Sequence, residues 1–109
     1  MNPPNLDELF EKAREAQTKL QELQRDLALR RVEGSAGGGM VTAVASGALR
    51  VLEIRIEPSL IASGDHEMIQ DLTAAAVNAA LANAQRMIQE EMQRASSGLA
   101  VPLPGGDAG

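Results

Sequence analysis

The chain has 109 residues with a formal net charge of −5, no cysteine, and Phe10 as its single aromatic residue. This length predicts one domain, and a core of Ala, Leu, Val, Ile and Met buries little area per residue, which favours a homodimer. The lack of cysteine excludes disulfide frameworks and thiolate metal sites. The acidic balance argues against nucleic acid as a partner, because affinity for phosphates comes largely from Lys and Arg.

The sequence shows no targeting or membrane-spanning segment. Residues 1–5 lack a basic stretch followed by an apolar one, so no secretory signal is predicted. The Ala-rich run 73–84 contains two Asn residues and is too short to span a bilayer. We therefore expect a soluble cytoplasmic protein that does not associate with membranes.

The first predicted element is a long helix at about residues 5–28. Asn5 is placed to cap it, and apolar residues then recur along one side at alternating steps of three and four. Such a repeat is typical of a helix that packs lengthwise against another helix. This Leu/Ala seam consists of Leu6, Leu9, Ala13, Ala16, Leu20, Leu23 and Leu27.

Two columns of basic residues run along the same predicted helix. Lys12, Lys19 and Arg30 border the Leu/Ala seam, whereas Arg14 and Arg25 lie nearly opposite it. Acidic residues are interleaved with both columns, some at the i,i+4 spacing that favours ion pairs within a helix. The pattern is therefore a weak indication of DNA binding, and it is also typical of a solvated, self-paired surface.

Three strands with a tight turn form the centre of the chain, because apolar and polar residues alternate there. The strands are placed at about 29–35, 40–46 and 49–57. Ser46-Gly47 suits a hairpin turn, and Pro58 ends the last strand because it has no N–H group. In that strand Leu52, Ile54 and Ile56 are predicted to share one face.

A second long helix is predicted at about 65–96, with Asp65 as its cap and Gly98 just after its end. Small residues in its middle would let it lie close against the sheet. Its only basic residues are Arg86 and Arg94.

Three further segments are predicted to be irregular. The glycines 37–39 connect strands and do not cradle a phosphate, because no helix follows them. Residues 59–61 are expected to form a turn. Residues 99–109, rich in Pro and Gly, are expected to form a flexible tail after a domain that spans residues 1–98.

No arrangement of residues indicates catalysis. His66, the single histidine, is expected to face solvent in the first turn of a helix. Clustered His or Cys ligands are absent, and no Ser has a nucleophile-elbow context. We therefore expect a protein that is not an enzyme, has no cofactor or metal, and takes no small-molecule substrate.

The order of these features resembles the YbaB/EbfC family of bacterial nucleoid-associated proteins over nearly the whole chain. The matching segments are Lys12-Ala13, Gln17, Lys19-Leu20-Gln21, Leu23-Gln24, Val32-Glu33-Gly34, Gly37-Gly38-Gly39-Met40-Val41, Ser46-Gly47, Ile54-Arg55-Ile56-Glu57-Pro58-Ser59-Leu60, Glu67-Met68-Ile69-Gln70-Asp71-Leu72, 74–78, Gly98-Leu99 and Pro104-Gly105. The sequence departs from the family pattern in its last residues, 106–109, and in the small number of bases in the second helix.

The resemblance implies an α+β fold with the order α-β-β-β-α, in which two long helices flank a small antiparallel sheet and two chains form a tweezer-like homodimer. It implies binding to double-stranded DNA with little or modest sequence preference, a location at the nucleoid, and an influence on gene expression and nucleoid organisation. Charge and exposure select the candidate DNA contacts, which are Lys12, Arg14, Lys19, Arg25, Arg30, Arg31, Arg86 and Arg94. The alternative is a protein–protein interaction module that holds its partner with apolar helical prongs.

Overall fold

A computed structural model of the protein describes residues 5–98. The elements are α1 (Leu6–Leu29), β1 (Arg31–Ala36), β2 (Val41–Ser46), β3 (Val51–Ile56), α2 (Pro58–Ser63) and α3 (His66–Gly98). The strands form one antiparallel sheet in the order β1-β2-β3. The predicted α+β class, with a small antiparallel sheet between two long helices, is therefore confirmed. The tail predicted at 99–109 lies outside the described residues.

Both long helices begin at the predicted caps. Asn5 Oδ1 accepts a hydrogen bond from the Asp7 N–H at 3.1 Å, and Asp65 Oδ1 accepts one from the Met68 N–H at 3.0 Å. Each carboxylate or amide oxygen thus satisfies an N–H group that has no partner within its helix. The glycines 37–39, which join β1 to β2, all have positive φ, a conformation that other residues rarely adopt.

The turn predicted at 59–61 is wrong, because these residues belong to the short helix α2. Pro58 begins α2, where its missing N–H and fixed φ suit the first helical position. Gly64 ends it in the left-handed conformation, with φ of 70°. The helix buries Leu60 in the core, which explains why a helical turn is more stable here than an open one.

The core lies between α3 and one face of the sheet, and small residues let the two approach closely. Its fully buried members are Val41, Ala43, Ala45, Leu60, Ala76 and Ala80. A Cβ atom on Gly34 would lie 2.2 Å from the Ala80 nitrogen, so the backbone of α3 rests directly on β1. Most contacts of α3 with the sheet are made to β1 and β2. The third strand is left largely uncovered.

A β-bulge interrupts the pairing of β3 with β2. Ile56 and Ile54 pair with Val41 and Ala43, but the register shifts next, so that Val51 lies opposite Ala45. Directly paired residues share a face of the sheet, whereas a bulge inserts an extra residue. Ile54 and Ile56 share the face of Val41 and Ala43 as predicted, whereas Leu52 has no direct partner on β2, and its place on that face stays a prediction. The alternation of apolar and polar residues in the sequence does not show this extra residue near the start of β3.

The helix α1 extends away from the rest of the molecule as a single rod, which we call the α1 prong (residues 6–26). The molecule measures 76 × 30 × 15 Å, with a radius of gyration of 21.0 Å. A compact chain of this length would have a radius of about 13 Å. Within the prong and the turn after it, only Leu27 is buried, and the N-terminal part of the Leu/Ala seam is exposed to solvent.

Candidate nucleic-acid interface

The α1 prong carries four of the predicted contact residues, Lys12, Arg14, Lys19 and Arg25, and all four are exposed. None of them forms an ion pair with another residue in the described range 5–98. The self-paired surface that the i,i+4 spacing allows is therefore not formed by these side chains. Four cationic groups on a projecting helix are available to an anionic partner.

The tip of the prong has the opposite charge. Asp7, Glu8 and Glu11 lie in its first two turns, and the first basic residue after them is Lys12. The two acids of the first turn stabilise the start of the helix, where the dipole is positive. The same acids would repel phosphate groups. The basic residues of the prong lie between Lys12 and Arg25, about 20 Å along the helix axis, where Glu15 and Glu22 are interleaved with them and leave a formal charge of +2.

Arg30 and Arg94 are brought together where α1 ends beside α3. Arg30 pairs with Asp26 at 2.8 Å and, through Nη1, with Glu91 at 3.3 Å. Arg94 pairs with the same Glu91 at 3.0 Å. The hydrogen bond to Asp26, with the attraction of the Glu91 carboxylate, raises the pKa of Arg30 above its ordinary value. Both predicted contacts therefore already have anionic partners within the chain.

Arg31 belongs to a charged network on the face of the sheet that α3 does not cover. It donates to Glu53 at 3.1 Å, and Arg55 pairs with both Glu53 and Glu33, at 3.0 and 3.3 Å. The hydrogen bond from Arg55 lowers the pKa of Glu53 below its ordinary value, with Arg31 contributing. These side chains reach from β1 and β3 across β2, where Val44 is fully buried. Arg31 therefore already has an anionic partner, Glu53, within the chain.

Two further cations are exposed near the base of the prong. Arg86 lies on the outside of α3, and Arg50 lies in the turn between β2 and β3. That turn contacts the end of α1, since the Gly47 N–H donates to the Arg30 carbonyl at 3.1 Å. Arg50 was not predicted as a DNA contact, because a lone basic residue in a turn belongs to no helical column. Neither residue forms an ion pair within the part of the chain that the structure describes.

The described residues offer little for catalysis or metal binding. Across 5–98 there is no group of three His, Asp or Glu side chains that could hold a metal ion. An open polar pocket of about 250 Å³ is lined by Glu33, Gly34, Ser35, Gly39, Thr42 and Asn83. The side-chain amide of Asn83 donates a hydrogen bond to the Glu33 carbonyl at 2.9 Å, so this amide is not directed at a ligand. Within the same span, no helix has both the length and the apolar character needed to cross a membrane.

Comparison with known proteins identifies the class to which this arrangement belongs. Residues 1–99 match the YbaB/EbfC DNA-binding family. A nucleoid-associated protein of Thermoanaerobacter pseudethanolicus is 40% identical over 98 residues, covering 90% of this chain and 88% of its own length. One from Chlorobaculum tepidum is 40% identical over 102 residues, covering 94% and 90%. The chain belongs to the YbaB/EbfC family, as its sequence features predicted.

A solved structure supports the fold independently. The crystal structure of an uncharacterized protein from Helicobacter pylori is similar to this chain with a TM-score of 0.58, over 70% of this chain and 88% of that one. The two are 20% identical, so the likeness concerns the fold alone.

Proposed function

We propose that this protein is a nucleoid-associated protein that binds double-stranded DNA as a homodimer, with little or modest sequence preference. The observation that carries the proposal is the projecting α1 prong, whose exposed cations have no acidic partners within the described residues. Membership of a DNA-binding family supports it. In this proposal the protein acts at the nucleoid in the cytoplasm, influences gene expression and DNA organisation, and has no enzymatic activity, cofactor or small-molecule substrate.

The projection of the α1 prong lets an acidic protein bring basic side chains to DNA, although Glu15 and Glu22 are interleaved with them. The prong carries four exposed cations between its acidic tip and its base, and a dimer carries this set twice. Long basic side chains on a helix surface mostly contact phosphates, which position a protein without reading the bases. If all eight contacted phosphates, the slope of log K against log salt would be roughly −7, whatever the duplex sequence. Arg86 and Arg50 would extend this surface at the base of the prong.

The exposed strand β3 is the surface through which we propose that two chains associate. Ile54 is 42% exposed and Leu52 is 48% exposed, on a strand at the edge of the sheet. At the other edge, the Glu33 carbonyl of β1 is capped by Asn83. An uncovered edge strand with apolar side chains is a template for pairing with another strand. A second copy placed there would give each dimer two α1 prongs.

The DNA-binding proposal is tested by fluorescence anisotropy with two unrelated duplexes over a salt series. We expect Lys19→Gln to weaken binding to both duplexes about equally and to reduce the salt slope by about 1 per lost phosphate contact. The matched control is Gln70→Glu, which changes the net charge by the same amount on α3 at the opposite end of the sheet. Equal effects of the two variants, or binding that does not depend on salt, would contradict the phosphate contacts.

A second candidate function, a protein–protein interaction module, is favoured by the tip of the prong. Leu6 is 67% exposed and Phe10 is 61% exposed, next to the acids of the first turns. An acidic, apolar helix tip suits a partner protein better than a phosphate backbone. A pull-down with nuclease treatment separates the two functions, because a protein partner remains bound after DNA is removed. Loss of all partners on nuclease treatment would instead favour DNA binding alone.

A further inference from the structure

The guanidinium groups of Arg30 and Arg94 converge on one oxygen atom. Glu91 Oε1 lies 3.3 Å from Arg30 Nη1 and 3.0 Å from Arg94 Nη1. The carboxylate is the best protected of the three groups: its side chain is 19% exposed, against 41% for Arg30 and 74% for Arg94. Two cations, Arg30 directly after α1 and Arg94 on α3, thus contact a single carboxylate oxygen at the base of the α1 prong.

This geometry is that of an oxyanion site. Arginine donates charge-assisted hydrogen bonds to carboxylates and to phosphates with the same planar array of N–H groups. The Glu91 oxygen therefore occupies a position that suits a phosphate oxygen. The site lies where α1 leaves the body of the protein, next to the cations of the prong on one side and Arg86 on the other helix.

We propose that Arg30 and Arg94 form a binding site for a phosphodiester group of the DNA backbone, and that Glu91 occupies this site in the free protein. This inference rests on the proposed DNA-binding function. Together, Asp26, Arg30, Glu91 and Arg94 have no net charge, so the group does not attract phosphate as it stands. A phosphate that approached would also meet the Glu91 carboxylate, and like charges at contact distance repel.

Replacement of Glu91 by Gln should therefore open the site. The amide has the same shape and no charge, which leaves Arg94 without an acidic partner and Arg30 with Asp26 alone. We expect Glu91→Gln to steepen the slope of log K against log salt by up to roughly 1.8, the value for two added phosphate contacts. Between about 0.2 and 0.05 M salt, the affinity of the variant for any duplex should therefore rise by roughly tenfold more than that of the wild type.

The neighbouring Glu90 provides a matched control. It is exposed on the same helix and forms no ion pair with any residue between 5 and 98. Glu90→Gln removes the same charge without releasing an arginine. We expect its affinity to stay within about twofold of the wild type, with an unchanged salt slope, because screening weakens distant charges. If Glu90→Gln and Glu91→Gln gave equal gains, the gain would reflect net charge and the proposed site would be refuted.

A double-mutant cycle tests whether the gain passes through Arg94. Arg94→Gln in the Glu91→Gln background should remove at least half of the gain in affinity, and should reduce the slope by about 1. Arg94→Gln in the wild type should reduce the duplex affinity much less, because Arg94 is paired with Glu91 there. Equal costs in both backgrounds would overturn the inference. If circular dichroism shows that Glu91→Gln lowers stability, a separate comparison in the wild-type background still tests the inference. There Arg94→Gln, which removes a cation paired with Glu91, should weaken binding less than Lys19→Gln, which removes a cation without an acidic partner in residues 5–98.

Failure of the inference differs from failure of the proposed function. If the wild type binds duplexes with a steep salt dependence and Glu91→Gln binds no better than Glu90→Gln, only the Arg30/Arg94 site is refuted. If no variant binds any duplex in dilute buffer, DNA binding itself is refuted, and the site with it.

Discussion

The attachment of the α1 prong depends on Gly47, and replacing this residue by Ala is the sharpest structural test. A Cβ atom on Gly47 would lie 1.8 Å from the Leu27 carbonyl oxygen and 2.6 Å from its carbon. A carbon and an oxygen normally approach to about 3.3 Å, so the turn and the end of α1 must separate by about 1.5 Å. Both atoms of Leu27 belong to backbone, which cannot rotate out of the way.

The cost of this separation follows from the contacts that it breaks. The hydrogen bond from the Gly47 N–H to the Arg30 carbonyl, 3.1 Å long, would be lost, at about 1 kcal/mol. Leu27 is 3% exposed, and partial exposure of its side chain would cost about 1–2 kcal/mol more. We therefore expect Gly47→Ala to lower the free energy of unfolding by about 2–3 kcal/mol, which corresponds to a drop in Tm of roughly 10–20 °C.

Gly38→Ala is the control for this experiment. Gly38 has φ of +67°, but a Cβ there would meet no atom within 4 Å. Its cost should be only the backbone strain, about 1 kcal/mol. Urea unfolding at one protein concentration would compare the variants, and anisotropy would show whether duplex affinity falls in Gly47→Ala alone. Equal destabilisation, or equal affinity, would refute the idea that this contact fixes the prong.

Three other predictions concern the core, the dimer and the charged network. Gly34→Ala should lower the free energy of unfolding in urea by about 3 kcal/mol, because its Cβ would lie 2.2 Å from the Ala80 nitrogen. A decrease smaller than that caused by Gly38→Ala would contradict the close packing of α3 on β1. Ile54→Asp should convert the proposed dimer to folded monomers, which light scattering would show as a halved mass and circular dichroism as an unchanged helical spectrum. Dimers that persist would exclude β3 as the interface. Because the pKa of Glu53 is lowered from 4.5 in the folded protein, its contribution to stability is present above that pH and is lost as pH falls through the folded value. Glu53→Gln should therefore show a smaller decrease of the urea midpoint below pH 4.5 than the wild type, and identical profiles would contradict the pairing with Arg55.

The regular elements of this fold could be predicted because their signals are local. The caps Asn5 and Asp65, the hairpin turn and the small residues of α3 each act through near neighbours in the sequence. The β-bulge before Leu52 and the helix at Pro58 were not predicted. Both depend on contacts with distant parts of the chain, namely the pairing with β2 and the burial of Leu60 in the core.

The candidate interface could be predicted only as a set of basic residues. Sequence spacing places Lys12, Lys19 and Arg30 in one column, but it does not show that Arg30 is paired with Glu91, sixty-one positions along the chain (91 − 30). For the same reason it does not distinguish Arg31, which supports the sheet, from cations that are free. These distinctions arise from the ion pair that joins the end of α1 to α3 and from the pairing of β1 and β3 with β2, which no local pattern records.

The central claim is that two α1 prongs in one dimer hold a duplex between them, and a distance between the prongs tests it most directly. Thr18 is exposed on α1, and the chain has no cysteine, so Thr18→Cys gives one spin label per chain. We expect pulsed dipolar spectroscopy to show one distribution of distances between the two labels of a dimer. This distribution should become narrower and shift when duplex DNA is added, and it should revert at high salt. The absence of any distance between chains, or a distribution that DNA does not change, would contradict the claim.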